Sequence, residues 1–235
     1  KFDYVFHLAA QSSGEISFDY PSYDVKTNVM GTLLLLNWSM EKKVKRFIYT
    51  SSMSVYGDVQ YLPVVENNKS QPLSFYGVGK LASEKYANIF INKGLPVTLL
   101  RLFNVYGPGQ NMQNLKQGMV SIYLAQMLRN QKIIIKGIPT RFRDFIYIDD
   151  VVRVTDMIIN NETSYGKLYN VGTGIKTTVE QVLNKMINKY GKNVKVEYSD
   201  ATPGDQIGIT ADNKLLRKDL KFNEFTEFDN GLNKM

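Results

Sequence analysis

The stretch RFIYTSS, residues 46–52, decides the fold. Its apolar side chains are consecutive, not alternating, which is typical of a strand buried on both faces of a sheet. Three hydroxyl residues, Thr50, Ser51 and Ser52, close the run where the strand gives way to a loop. We predict a short, fully buried strand over 46–52.

Two further stretches resemble it and are separated from it by helical patterns. YVFHL at 4–8 and VTLLRLF at 97–103 are predicted strands, and apolar residues at helical spacing predict helices from about residue 28 to 42 and from about 75 to 93. Alternation of buried-type strands with helices is typical of a parallel sheet covered on both faces. The predicted fold class is therefore α/β.

Beyond residue 104 the pattern changes to shorter elements. After a turn-rich loop at 104–114 we predict a helix over 119–130, a strand at 132–137, a strand-like stretch RFRDFIYI at 141–148 and a helix over 149–160. A strand at 167–172 follows, then a helix that ends at Tyr190 and begins at a capping box formed by Thr177 and Glu180. A strand at 193–199 and a short helix at 213–220 complete the series.

Composition excludes several classes of protein. The chain has 235 residues, 43% of them hydrophobic, enough for a sizeable core. It contains no cysteine, which excludes disulfides and thiolate chemistry and is consistent with a cytoplasmic location. Its net charge of +7 comes from scattered lysines and arginines, so we expect a small anionic substrate and no nucleic acid. No run of about 18 apolar residues occurs, so no membrane span is expected.

Tyr76 and Lys80, in the stretch YGVGK, are four residues apart. On a helix they share a face, and an ammonium within about 4–6 Å lowers the pKa of a phenol by roughly 1–3 units. Ser52, at the end of the preceding strand, carries a hydroxyl placed to hydrogen-bond the substrate oxygen that the Tyr76 phenol would contact. The spacing alone is weak, because a tyrosine and a lysine four apart occur in many helices. Gly77 and Gly79 each cost a helix interior about 1 kcal/mol relative to alanine, so their presence needs an explanation.

Seven stretches, in order along the chain, carry a family resemblance: HLAAQ, NVMGT, YTSSMSVYG, YGVGK, RLFNVYGPGQ, RFRDFIYIDDV and YNVGTG. Together they resemble the extended short-chain dehydrogenase/reductase family, in its nucleotide-sugar epimerase and dehydratase branch. The resemblance implies a Rossmann-like doubly wound sheet and NAD as cofactor. It also implies that Tyr76 is the acid/base, that Lys80 orients the nicotinamide ribose and lowers the pKa of Tyr76, and that Ser52 assists proton transfer.

The same resemblance implies further contacts. Those to the cofactor would come from Leu8, Ala9, Ala10, Asn28, Ser51, Tyr76, Lys80 and Phe103, with Asn28 at a helix start. Those to the substrate would come from Asn104, Arg143 and Asp205, with Arg143 on the diphosphate. Residues 1–104 would be the second half of the dinucleotide-binding domain, and 105–235 mainly a substrate-binding region interleaved with the last strands. A homodimer is expected.

The resemblance also bears on the reaction. The dehydratases of the branch have acidic residues just after the catalytic serine, whereas Met53 and Ser54 stand there. We therefore favour a 4-epimerase acting on a UDP-hexose or UDP-N-acetylhexosamine, while reductases and decarboxylases of the branch share most of these residues. Two residues depart from the branch: Thr202 replaces an arginine before PGD, and Lys136 replaces an aromatic residue before Gly137.

The glycine-rich phosphate loop of the branch is not found in this sequence, and GPGQ and VGTG do not substitute for it because neither joins a strand to a helix as that loop requires. We therefore expect an N-terminally incomplete enzyme, with an inactive sugar-nucleotide-binding fragment as the alternative. No metal site is expected: the pair Asp149–Asp150 is interpreted as a helix start. The single histidine, His7, is interpreted as structural.

Overall fold

The computed structural model describes residues 2–130, 132–191 and 193–235. Its main sheet has four strands, all parallel, in the order β1–β2–β3–β8. The strands are β1 Tyr4–His7, β2 Arg46–Ser52, β3 Val97–Leu102 and β8 Leu168–Val171. The predicted α/β class with a parallel sheet is confirmed, and β2 has the predicted bounds.

Strand β2 shows why this sheet is covered on both faces. All seven of its residues are buried. Phe47 and Tyr49 pack in a core with residues of the helices that precede and follow the strand, whereas Ile48 packs in a second core on the opposite face. Successive side chains of a strand point to opposite faces, so the continuous apolar run supplies both cores.

The helices and helical segments alternate with these strands. They are α1 Gly14–Asp19, α2 Pro21–Asp24, a π-helical segment Val25–Met30, α3 Gly31–Glu41, α4 Phe75–Asn92, α5 Met119–Asn130, α6 Ile148–Ile159, α7 Val179–Tyr190, α8 Lys214–Leu220 and α9 Phe228–Asn233. Helix α2, the π-helical segment and α3 follow one another without a break. The helix predicted to begin near Asn28 therefore begins at Pro21, and Asn28 lies inside it, not at its start.

Short strands build the rest of the molecule. They pair as β5 with β10, β4 with β7 and β6 with β9, and they are β4 Asn104–Tyr106, β5 Lys132–Lys136, β6 Phe142–Arg143, β7 Phe145–Tyr147, β9 Thr177–Thr178 and β10 Lys195–Ser199. The predicted single strand over 141–148 is in fact two strands, since Asp144 separates β6 from β7.

A separate hydrophobic core lies between α5, α7 and these short strands, and it is built from residues 106–232 alone. The capping box of α7 is formed by Thr178 and Gln181, not by Thr177 and Glu180, because Thr177 pairs with Arg143 in the β6–β9 ladder. The division of the chain at residue 104 stays a prediction. Within the described residues, no helix combines the length and apolar character needed to cross a membrane.

Candidate active site

Helix α4 begins just before Tyr76. Ser74 caps it, accepting a hydrogen bond from the Gly77 amide at 3.1 Å. One turn further on, the Lys80 ammonium is buried, donates to the Thr50 carbonyl at 2.8 Å and lies 5.9 Å from the centre of the Tyr76 ring. The second ring beside it is that of Tyr49, at 4.9 Å. The structure thus brings the predicted pair together at the carboxyl end of β2.

Ser52 stands at that same strand end. Its hydroxyl accepts a hydrogen bond from the Ser54 amide at 3.2 Å and lies 3.2 Å from the Ser54 hydroxyl. Burial raises the pKa of Tyr76, the Ser52 side chain lowers it and the charge of Asp24 raises it. The net direction is upward, so the prediction of a lowered Tyr76 pKa is wrong for this structure.

Lys80 is itself perturbed. Burial lowers its pKa to about 8, and the carboxylates of Asp24 and Glu84 act in the opposite direction. Desolvation disfavours the charged form of a lysine, while a nearby anion favours it. The charge on Lys80 therefore depends on carboxylates that the sequence did not single out.

The glycines of YGVGK make room for neighbouring chain segments. A Cβ at Gly77 would lie 2.6 Å from the Ser54 carbonyl oxygen, and one at Gly79 would lie 2.9 Å from Asp24 Oδ1. Real Cβ atoms do not approach other atoms so closely, so position 77, which meets backbone, needs glycine for space, whereas at position 79 the Asp24 carboxylate would have to shift. The loop after Ser52 packs against Gly77, and the carboxylate of α2 packs against Gly79.

The loop after β1 is held by an amide clamp. Asn28 accepts from the Gln11 amide at 2.9 Å and donates to the Gln11 carbonyl at 2.8 Å, which uses both ends of its side-chain amide. Leu8 is 62% exposed, and Ala9 and Ala10 are at least partly exposed. The structure therefore presents these three residues at the surface, whereas Asn28 is buried.

Ser51 and Phe103 are also engaged by the protein. The Ser51 hydroxyl donates to Glu84 Oε1 at 2.5 Å, and Glu84 forms a buried two-pronged ion pair with Arg101 at 2.9 and 2.7 Å. Phe103 is buried in a small core with Val55 and other apolar residues. Direct contacts of Asn28, Ser51 and Phe103 with a cofactor stay predictions.

The three predicted substrate residues line one cavity of about 520 Å³. Arg143 and Arg141 both pair with the carboxylate of Asp205, one on each oxygen. Both arginines are buried, and burial together with the charge of Arg141 lowers the pKa of Arg143 to about 9. Asn104 adds an amide oxygen that finds no hydrogen-bond partner within residues 2–130, 132–191 and 193–235.

The cavity adjoins the serine and tyrosine. Met53 and Ser54, directly after Ser52, and Ser74, two residues before Tyr76, belong to its wall. Lys136 lies at the wall as well, where it pairs with Glu15 at 2.6 Å. The cavity that holds the two arginines therefore extends to the chain neighbours of Ser52 and Tyr76.

Sequence reasoning missed Asp24 and Arg141. Asp24 lies in a stretch without an apolar stripe, and nothing in its neighbours signals a buried carboxylate. The stretch RFRDF did contain a signal for Arg141, because residues at alternate positions of a strand lie on the same face and Arg141 and Arg143 are two residues apart. The structure shows that β6 begins only after Arg141, and that the shared partner is Asp205.

The remaining candidates are structural in this fold. His7 Nε2 lies 2.8 Å from Thr32 Oγ1, and burial lowers the pKa of His7 to about 4. Asp150 is buried in the first turn of α6 and accepts from the Thr226 amide at 2.8 Å. Among the described residues, no cluster of three or more histidine, aspartate or glutamate side chains could hold a metal ion.

Comparisons with known proteins identify the family of the chain. The sequence profile of the NAD dependent epimerase/dehydratase family matches residues 1–172. The chain belongs to this family. The putative UDP-glucose 4-epimerase of Methanocaldococcus jannaschii is 34% identical over 212 residues, covering 89% of this chain and 68% of that protein.

Solved structures of the family superpose closely. The UDP-glucose 4-epimerase of Thermotoga maritima, solved with UDP-glucose, is 35% identical, with a TM-score of 0.93 over 98% of this chain and 74% of that one. MoeE5, solved with UDP-glucose and NAD, is 33% identical, with a TM-score of 0.91 over 99% of this chain and 77% of that one. The Rossmann-like fold and membership of an NAD-dependent sugar-nucleotide enzyme family are thus established.

Proposed function

We propose that this chain carries the catalytic residues of an NAD-dependent 4-epimerase of a UDP-hexose or UDP-N-acetylhexosamine. One observation carries the proposal: the chain neighbours of Ser52 and Tyr76 line a cavity whose wall also holds a pair of buried arginines. A sugar nucleotide needs both parts, since its diphosphate is anionic and its reacting carbon bears a neutral hydroxyl.

The residues present fit NAD. The Lys80 ammonium has three N–H donors and gives one to Thr50, which leaves two for the hydroxyls of a ribose. The exposed Leu8 and the small side chains of Ala9 and Ala10 let the cofactor lie against the end of β1. When bound, NAD supplies the reversible acceptor for the hydride of the sugar carbon.

The protein's own residues handle the proton. Tyr76 takes the proton of the C4 hydroxyl as hydride leaves that carbon, and Ser52 hydrogen-bonds the same oxygen. The ammonium of Lys80 favours the ionised form of the phenol by its charge. Once the 4-keto sugar has presented its other face, Tyr76 returns the proton. The two transfers are the reverse of one another, so one acid/base suffices.

Substrate binding is assigned to the cavity. Arg143 would hold the diphosphate, because a guanidinium is suited to phosphate oxygens. Asn104 would accept a hydrogen bond from the substrate through its unpaired amide oxygen. Asp205, which pairs with both arginines at the cavity wall, would contact the substrate there as well. The scattered positive charge of the chain, +7 overall, favours an anionic ligand of this kind.

Dehydration is the less favoured chemistry. It requires an acid that protonates a leaving hydroxyl, and the wall residues after Ser52 are Met53 and Ser54, neither of which is acidic. Reduction, decarboxylation, or binding without catalysis would each show themselves in the product analysis below.

The decisive experiment compares the purified protein with its Tyr76→Phe variant. NAD and either UDP-glucose or UDP-N-acetylglucosamine are supplied, and the sugar nucleotides are separated by chromatography. We expect the C4 epimer from the wild type and a loss of about 10²- to 10⁴-fold in the variant, the range for a general acid/base. NAD binding, followed by fluorescence, should persist in the variant.

A wild-type protein that binds NAD and forms no epimer would overturn the epimerase assignment, and a 4-keto-6-deoxy product would identify a dehydratase. If the wild type bound sugar nucleotide without NAD, the binding-fragment alternative would be supported instead.

We also propose a homodimer formed through α3 and α4. The outward sides of these helices expose apolar residues, including Leu34 at 66%, Val78 at 51% and Ile89 at 51%. Light scattering tests this, and a mass of one chain would contradict it.

A further inference from the structure

Asp24 is a fully buried carboxylate held only by neutral groups. Its side chain is 0% exposed. Oδ2 accepts from the Gln11 amide group at 2.8 Å and from that of Asn28 at 3.1 Å. An ionised carboxylate costs several kcal/mol to bury unless a cation compensates it. The two amides satisfy hydrogen bonds but bring no positive charge.

The other oxygen of Asp24 faces the catalytic helix. Oδ1 is buried and finds no hydrogen-bond partner in the described part of the chain. A Cβ built on Gly79 would lie 2.9 Å from it. Gly79 is the residue before Lys80 and lies in the turn that joins it to Tyr76, so the free oxygen is packed against the backbone that carries the pair.

The groups around Lys80 narrow the choice of its counter-ion to two carboxylates. The titratable groups that face it are Asp24 from α2, Glu84 from its own helix, His7 from β1, Tyr49 from β2 and Tyr76. The two phenols are neutral at ordinary pH, and His7 is kept uncharged by burial and by Lys80 itself.

Glu84 does affect Lys80, but its charge is already compensated. Arg101 holds both of its oxygens, at 2.9 and 2.7 Å. Asp24 has no such partner among the residues that the structure describes. In this cluster, the carboxylate of Asp24 and the ammonium of Lys80 are therefore the two charges that no other ion pair compensates.

We propose that Asp24 is a positioning residue whose carboxylate acts as the buried counter-ion of Lys80 and keeps that ammonium charged beside Tyr76. The consequence for catalysis rests on the proposed function, whereas the charge coupling does not. The direction of the Lys80 pKa agrees: burial lowers it to about 8, and Asp24 is the first of the charges that raise it. In turn, Lys80 lowers the pKa of Asp24, which burial raises.

The test is a lysine titration followed by NMR in the protein without added NAD. The chain is labelled with ¹³C at the lysine Cε, and the Lys80 signal is assigned with Lys80→Arg. Asp24→Asn keeps an oxygen for the two amides and removes the charge. We expect the pKa of Lys80 to fall by about 1–3 units in this variant.

The matched control is Asp19→Asn. Asp19 lies on neighbouring α1, and its carboxylate pairs with the exposed Lys116 at 2.9 Å. This control should leave the Lys80 titration unchanged. An equal Lys80 pKa in the wild type and in a folded Asp24→Asn protein would overturn the proposal.

A second measurement needs no substitution at Asp24. In a coupled pair, the titration of one group is seen at the other, so the Asp24 carboxyl carbon of the wild type should shift as the pH passes through about 8. A flat Asp24 signal from pH 7 to 9 would contradict the proposal even if the variant did not fold.

In the active enzyme, Asp24→Asn should move the alkaline limb of the kcat profile to lower pH, because Lys80 then loses its proton earlier. An unchanged limb together with a shifted Lys80 pKa would count against the proposed role of Lys80 in catalysis, not against the counter-ion.

Discussion

Two buried charge clusters, one around Glu84 of α4 and one around Asp205 at the cavity, are built in opposite ways. In the α4 cluster, Arg101 donates to both carboxylate oxygens of Glu84, and the Ser51 hydroxyl donates to one of them. Each charge therefore has one fixed partner. In the cavity cluster, the single carboxylate of Asp205 pairs with two arginines, Arg141 and Arg143, at the cavity wall. The two ions of the first cluster are buried and paired one to one, whereas the second cluster has one guanidinium in excess.

This difference indicates two uses of a buried charge. A fully paired ion in the interior fixes geometry, and its removal leaves a partner without compensation. A shared ion at a cavity keeps cationic groups in place before the ligand arrives, and its net positive charge attracts an anion. We expect substitutions in the α4 cluster to change stability, and substitutions in the cavity cluster to change ligand affinity.

The largest effect is expected at Glu84. Glu84→Gln leaves the buried guanidinium of Arg101 without a counter-charge, so the free energy of unfolding should fall by about 3–5 kcal/mol. Urea denaturation followed by circular dichroism measures this change. Glu197→Gln is the control: its carboxylate pairs with Lys132 at 2.6 Å on the surface, and its loss should leave the free energy of unfolding nearly unchanged. Equal costs at the two sites would remove the distinction between the clusters.

A smaller effect is expected at Arg143. Charge-assisted hydrogen bonds contribute about 1.5–3 kcal/mol, so Arg143→Gln should weaken UDP binding by about 10- to 100-fold. Calorimetric titration with UDP measures the affinity, and a thermal melt tests whether stability is kept. Arg129→Gln, at an exposed position on α5, is the matched control. If the variant lost stability but kept its affinity for UDP, Arg143 would be a residue that stabilises the fold, like Arg101, and not a ligand-binding residue.

The sequence predicted well those elements whose inward side chains are apolar. β2, α5 and α7 end where the patterns of apolar residues end. The helical path from Pro21 was missed over its first turns, because the side chains that it buries there, Asp24 and Asn28, are polar. A periodicity of apolar residues cannot reveal a helix whose buried face is polar.

The site was predictable in its chemistry and not in its electrostatics. Tyr76, Lys80 and Ser52 were found from spacing and resemblance, since those depend on residue type. The direction of the Tyr76 pKa was not, because it depends on how deeply the ring is buried and on the charge of Asp24, which only the packing of α2 against α4 brings near. The capping box shows the same limit: two Thr–x–x–acid/amide patterns overlap by one residue, and strand pairing of Thr177 decides between them.

The clearance between Asp24 and Gly79 also constrains how this sequence can change. An alanine Cβ at position 79 would lie 2.9 Å from Asp24 Oδ1, so it requires either a shift of that carboxylate or a shorter side chain at position 24. The two positions are far apart in the chain, yet substitution at one alters which residues are acceptable at the other. We expect the residue identities at positions 24 and 79 to covary among related sequences, because the two side chains compete for the same space.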